Sequence, residues 1–284
     1  MRYFALFFLF LGVSVFAKPT VTVSIAPQKY FVEQIAKDLV IVNVMVPSGA
    51  SPHSYEPKPS QMKALSSSDA YFAIGVNFEQ IWLEKFKATN PSLLFIDTAK
   101  GITKQSIEKH HHDNHKDDEH ETKDPHIWLD PILVKIQAQN IKDALVKLYP
   151  LHVKNFERNY ADFIAVLDTL DTSLQTTLKD ITNRQFIVFH PSFGYFASRY
   201  MLEQISIEVG GKEPKPSELA RIIKDAKKTK AKAVFTSPQF SQKSASVIAK
   251  EIGAIVFVID PLSEDWEENI RKIANAFVLY SKMI

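Results

Sequence analysis

Hydrophobic and polar residues in this chain switch repeatedly between two periods. Thr20 to Ile25 alternates and is rich in β-branched residues, so it reads as a strand. Gln28 to Asp38 carries apolar residues at helical spacing, and Val40 to Val46 is a Val- and Ile-rich strand. A helix over Ser60 to Leu65 follows, with Ser60 as its N-cap. The pattern then predicts a strand at Ala70 to Ile74, a helix at Phe78 to Ala88 and a strand at Leu93 to Ile96. Strand and helix in alternation predict a mostly parallel sheet covered by helices, with loops after the strands gathered at one edge.

The alternation stops at Gly101 to Lys123. After Ile107 this stretch is almost entirely His, Asp, Glu and Lys. Such a composition buries too little apolar area to offset the entropy of ordering, so it reads as a mobile, His-rich loop near 108–123. Order resumes with a helix over Leu133 to Tyr149, which stops before Pro150. Phe156, Tyr160, Phe163, Ile164, Leu167, Leu170 and Leu174 then keep three- and four-residue steps inside Val153 to Ile181. This is the longest uninterrupted helix in the pattern, long enough to cross between two lobes.

The second half repeats the first. Strands are expected at Gln185 to Phe189, Ile205 to Val209 (closed by Gly210-Gly211), Ala231 to Thr236 and Ala254 to Ile259. Helices are expected at Phe193 to Met201, Glu218 to Lys228 with Ser217 as N-cap, Gln242 to Glu251 with Ser241 as N-cap, and Glu264 to Ser281. The division is a leader at 1–17, a first lobe over 18–150, a connecting helix over 151–181 and a second lobe over 182–284. The fold class is α/β, with two βα lobes of mostly parallel sheet.

The leader assignment rests on Arg2, the apolar run Phe4 to Phe16, the small residue Ala17 and the polar Lys18-Pro19 that follows. The run is short for a membrane span, which needs about 20 residues, although an uncleaved anchor is the alternative. With a cleaved leader the chain is a periplasmic protein. It has no cysteine, hence no disulfide and no lipid on an N-terminal Cys. Lys plus Arg number 34 and Asp plus Glu 32, a balance that argues against a nucleic-acid partner. The chain is expected to be a monomer.

Candidate chemistry lies in four short contexts. His53 sits in Ser51-Pro52-His53-Ser54-Tyr55-Glu56-Pro57, and His126 in Asp124-Pro125-His126-Ile127-Trp128-Leu129-Asp130-Pro131. His190 ends the apolar run Val188-Phe189 before Pro191, and Asp260 ends Val256 to Ile259 before Pro261. Taken singly, each has an ordinary alternative: an exposed loop residue for His53, a packing residue beside Trp128 for His126, an Asx turn or helix cap for Asp260. Ser263 and Glu264 suit the capping role better than Asp260 does. Together, three imidazoles and one carboxylate, two from each expected lobe, form a plausible ligand set for Zn²⁺ in one cleft. His152, at the start of the long helix, reads as a surface or capping residue. His110, His111, His112, His115 and His120 form the separate tract in the acidic loop.

These four segments resemble those of the periplasmic metal-binding proteins that serve zinc and manganese ABC importers, and among them the zinc-uptake branch. The resemblance runs from about Val21 to Ile284. It implies two βα lobes joined by one long rigid helix, with the metal between them, held by His53, His126, His190 and Asp260. It also implies a membrane permease as partner, Zn²⁺ as transported ligand and no enzymatic activity. His190, where manganese-type members usually carry Glu, and the His-rich loop point to zinc, since imidazole suits Zn²⁺ and carboxylate the harder Mn²⁺. The chain departs from the family pattern at Ser237, where Glu often precedes the Pro. Rival functions are a zinc-dependent hydrolase, for which Glu56 is the carboxylate near a candidate ligand, a zinc buffer or chaperone without a transporter, and a surface adhesin. There is no His-Glu-x-x-His run to support the first.

Overall fold

A computed structural model describes residues 18–107, 123–207, 216–229, 231–240 and 242–282, with side chains omitted at 216–218. The first lobe is built on β1 (Thr20–Ile25), β2 (Ile41–Val46), β3 (Ala70–Ala73) and β4 (Leu94–Asp97), in the spatial order β2-β1-β3-β4. All three pairings are parallel. Between them run α1 (Ala26–Ala36), α2 (Pro59–Ser66) and α3 (Asn77–Thr89). Two helices follow, α4 (Pro131–Leu148) and α5 (Val153–Leu178). The second lobe repeats the plan with β5 (Gln185–Val188), α6 (Gly194–Arg199), β6 (Glu203–Ser206), α7 (Pro216–Ala226), β7 (Ala233–Thr236), α8 (Gln242–Ile252), β8 (Ile255–Val258) and α9 (Trp266–Ser281). Its strand order is β6-β5-β7-β8, again parallel.

In both sheets the chain steps outward from the first strand and then crosses back to its other side. That reversal leaves a crevice at the carboxyl ends of β1 and β3 in one lobe and of β5 and β7 in the other, where open α/β sheets bind ligands. The strand faces alternate as the pleat requires. On β5, Phe186 and Val188 join the large core shared by both lobes, while Ile187 joins a smaller cluster with Val234, Ile248 and Ile252.

Helix α5 spans 26 residues, about 39 Å at 1.5 Å per residue. Its first half faces the first lobe: Asn159 donates to the Ile35 carbonyl at 3.0 Å, and Phe163 packs 6.2 Å from Phe31. Its second half faces the other lobe: Tyr200 donates to Asp171 at 2.9 Å and Arg271 to Ser173 at 3.2 Å. The expectation of two βα lobes joined by one long helix is met.

Several boundaries differ. Ser60 is not the cap of α2. The cap position is Lys58, Pro59 opens the helix with its fixed φ, and Gln61 Oε1 accepts the Lys58 N–H at 2.9 Å. Neither Ser263 nor Glu264 caps α9, whose N-cap position is Asp265. Strand β6 begins at Glu203, two residues before the expected start, because an edge strand tolerates polar side chains. Helix α5 stops at Leu178 and not at Ile181. Ser217 is the second residue of α7 and not its cap. Ser241, Gly210-Gly211 and the five-histidine tract lie outside the described residues.

Candidate metal centre

Each candidate side chain is delivered by a loop at a sheet's carboxyl edge or beside it. His53 lies in a turn after β2, where Tyr55 N–H bonds back to the Ser51 carbonyl at 3.0 Å and His53 N–H to Ser51 Oγ at 3.3 Å. His126 precedes a short 3₁₀ turn over Ile127–Leu129 that leads into α4. His190 lies two residues past β5, whose edge continues in a bond from Phe189 N–H to the Phe235 carbonyl at 2.9 Å.

The three rings meet. His190 Nε2 stands 3.2 Å from His126 Nε2 and 3.4 Å from His53 Nε2. Nitrogen ligands at 2.0–2.1 Å from a tetrahedral zinc are separated by about 3.3–3.4 Å. The two contacts therefore have the edge length of a zinc site. No group of three or more His, Cys, Asp or Glu side chains among the described residues stands complete as a metal cage. These two edges join the trio and meet at His190. The rings border a cavity of about 30 Å³, also walled by Pro52, Val76, Trp128, Gln239, Phe240 and Leu262. It holds one or two water-sized occupants.

His126 is 6 % exposed and Asp124 3 %. Asp124 Oδ1 accepts from His126 Nδ1 at 2.6 Å and from its backbone N–H at 2.9 Å. A carboxylate on Nδ1 fixes the tautomer and leaves the Nε2 lone pair for the cavity. Asp124 is in turn fixed by its surroundings. Its carbonyl accepts from Tyr195 at 2.9 Å, and a Cβ on Gly194 would stand 2.8 Å from its Oδ2, so glycine permits the approach. Tyr195, with its hydroxyl wedged between Asp124 and Gln105, has its pKa pushed up to about 12 by burial. Lys104, close enough to feel Asp124, is lowered by burial, against the pull of Glu79, Asp97 and Asp124.

Asp260 follows β8. Its Oδ1 accepts from Gln239 Nε2 at 2.7 Å and from Leu262 N–H at 2.9 Å, the latter an Asx turn, and its Oδ2 accepts from Ser48 at 3.0 Å. The cavity is lined by its neighbours Pro261 and Leu262 and by Gln239. His152 takes the N-cap position of α5 without a side-chain cap bond and packs 6.1 Å from Phe156, far along the chain from the cleft elements. Glu56 is exposed. Sequence reasoning missed Asp124, Gln239 and Asp130. Asp130 caps α4 by accepting Ile132 N–H at 2.8 Å and pairs with Arg199 of the second lobe. A carboxylate two residues before a candidate His was the available signal for Asp124.

The lobes are locked around this segment. Trp128 donates to the Pro261 carbonyl and Trp266 to the Trp128 carbonyl, each at 2.7 Å. Two parallel βα lobes pinned across a cleft of imidazoles define a metal-binding solute-binding protein. The family model described as ZnuA, zinc-uptake complex component A, periplasmic, matches residues 21–279, and the chain belongs to this family. The "High-affinity zinc uptake system protein ZnuA" of Bacillus subtilis is 31% identical over 243 residues, covering 83% of this chain and 76% of that protein. A "Zinc-binding protein AdcA" of Streptococcus pyogenes is 30% identical over 258 residues, covering 85% of this chain and half (50%) of the relative. A crystal structure of ZnuA superposes with a TM-score of 0.85 at 46% identity, over 93% of this chain and 100% of that one.

Proposed function

We propose that this chain captures Zn²⁺ in the periplasm and hands it to the membrane permease of an ABC importer. The observation that carries the reading is the convergence of His53, His126 and His190 on one small cavity, with Nε2 separations of 3.2 and 3.4 Å. These three are the proposed ligands. Asp260, the carboxylate of the expected set, acts on the ion through the groups it hydrogen-bonds, Gln239 first among them. The matching family and the zinc-named relatives support zinc as cargo.

The same reading assigns 1–17 to a cleaved leader, 18–150 and 182–284 to the two metal-binding lobes and 151–181 to the connecting helix. No helix among the described residues is long and apolar enough to cross a membrane. The protein acts as a monomeric binding protein and not as an enzyme. A zinc hydrolase needs a general base within reach of a metal-bound water, and exposed Glu56 is outside the cavity lining.

The test is a competition titration against a zinc chelator. The native chain binds close to one Zn²⁺ tightly. His190→Ala weakens that site by more than about a hundredfold, the upper range for losing a group that merely orients a ligand. His152→Ala leaves it unchanged. Equal effects of the two substitutions reject the assignment.

A further inference from the structure

The geometry points to Gln239 as the group that receives a hydrogen bond from a water on the bound cation, with Asp260 as the residue that aims it. This inference rests on the His trio as ligands and adds a residue to them. Gln239 lines the same cavity as His53, His126 and His190. Its Nε2 donates to Asp260 Oδ1 at 2.7 Å. A carboxylate can only accept here, so the amide has one permitted orientation: nitrogen toward Asp260, oxygen away from it. That oxygen, Oε1, is buried and finds no hydrogen-bond partner among the described residues.

A buried acceptor without a donor is unfavourable in the protein alone and is expected to be met when the site fills. Three imidazoles leave the fourth position of a tetrahedral zinc open. A water there is acidified by the metal and becomes a strong donor. Asp260 is held in place on both sides, by Ser48 from the first lobe at 3.0 Å and by Leu262 N–H at 2.9 Å. Its negative charge thus acts on the ion through the polarised amide. Gln239 is a positioning residue for the fourth coordination place, and Asp260 orients Gln239.

The experiment compares Gln239→Met and Gln239→Glu in the full mature chain. Met keeps the length and removes both ends of the amide; Glu keeps an oxygen toward the cavity and meets Asp260 by sharing a proton with it, as carboxyl pairs this close do. Chelator competition at neutral pH gives zinc affinity, and melting of the metal-free chain gives the structural cost. Q239M is expected to lose about tenfold or more in zinc affinity, as for one charge-assisted hydrogen bond, while Q239E stays within about threefold of the native chain. The melting temperature of metal-free Q239M is expected not to fall with its affinity. In the Co²⁺-loaded native chain, azide is expected to replace the water and alter the visible bands. Unchanged zinc affinity in Q239M overturns the inference. So does an equal loss in both variants with parallel melting loss, which marks a structural role. Insensitivity of the cobalt bands to azide also overturns it, and means that a protein ligand such as Asp260 fills the fourth place. The His trio fails separately, by retention of tight zinc in His190→Ala.

Discussion

His190 is the hinge of the centre at the residue scale, because both short imidazole contacts run through its Nε2. Exchanging it for a carboxylate replaces a borderline nitrogen by a hard oxygen and adds negative charge. His190→Glu is therefore expected to raise the Mn²⁺-to-Zn²⁺ affinity ratio, measured by competing the two metals on both versions. Zinc retains the tighter absolute binding, as the general affinity order for divalent metals dictates. An unchanged ratio would place selectivity in geometry. Asp124→Asn offers a second check, since it weakens the acceptor on His126 Nδ1; zinc affinity is expected to drop about 10–100-fold, by titration. His190 was legible in the sequence because a polar ring ending a buried apolar run needs a partner. Asp124 and Gln239 were not, because their roles come from contacts made only in the folded cleft: Asp124 with Gly194 and Tyr195, Gln239 with Asp260.

Elements follow the sequence wherever burial is one-sided and continuous. The β-branched run gave β1 to the residue, and the apolar spacing of α5 gave that helix from its first residue to within three of its last. Reading failed where neighbours decide. Edge strand β6 starts in Glu203-Gln204, whose polarity hides it, and α2 starts at Pro59, whose fixed φ suits the first helical position, one residue before Ser60. The His tract is a separate element, and the structure bears on how to test it. The segments that flank it are joined: Ser106 bridges Lys123, and Asp124 N–H bonds to the Gln105 carbonyl at 2.8 Å. Excising Lys109 to Glu121 is thus expected to keep His126 in place. Calorimetric titration of the shortened chain should lose weak zinc sites and retain the tight one, because a chelating loop must be ordered at an entropic cost. Loss of the tight site would show that the tract supplies a primary ligand.

At the scale of the whole molecule, the two lobes share one continuous core that runs from Val21 to Tyr280. Opening the cleft wide would break the Trp128–Pro261, Trp266–Trp128 and Arg199–Asp130 contacts together. The cleft is accordingly held near its binding geometry, and protons are the natural competitor for the metal. An imidazole binds zinc only when neutral, and its ordinary pKa is about 6.5. A protonated ring must give up its proton to bind, so affinity is expected to fall between about pH 7 and about pH 5, steeply because three ligands act at once. Titrations in buffers of different ionisation enthalpy count the released protons; a flat affinity with no release across that window would rule out imidazole ligation. A zinc-loaded crystal structure, with anomalous data collected on both sides of the zinc absorption edge, decides whether the three imidazoles hold the ion. One strong zinc peak is expected in the cleft, about 2.0–2.1 Å from Nε2 of His53, His126 and His190 together. A principal peak coordinated by other residues, with these three rings left off the metal, would contradict it.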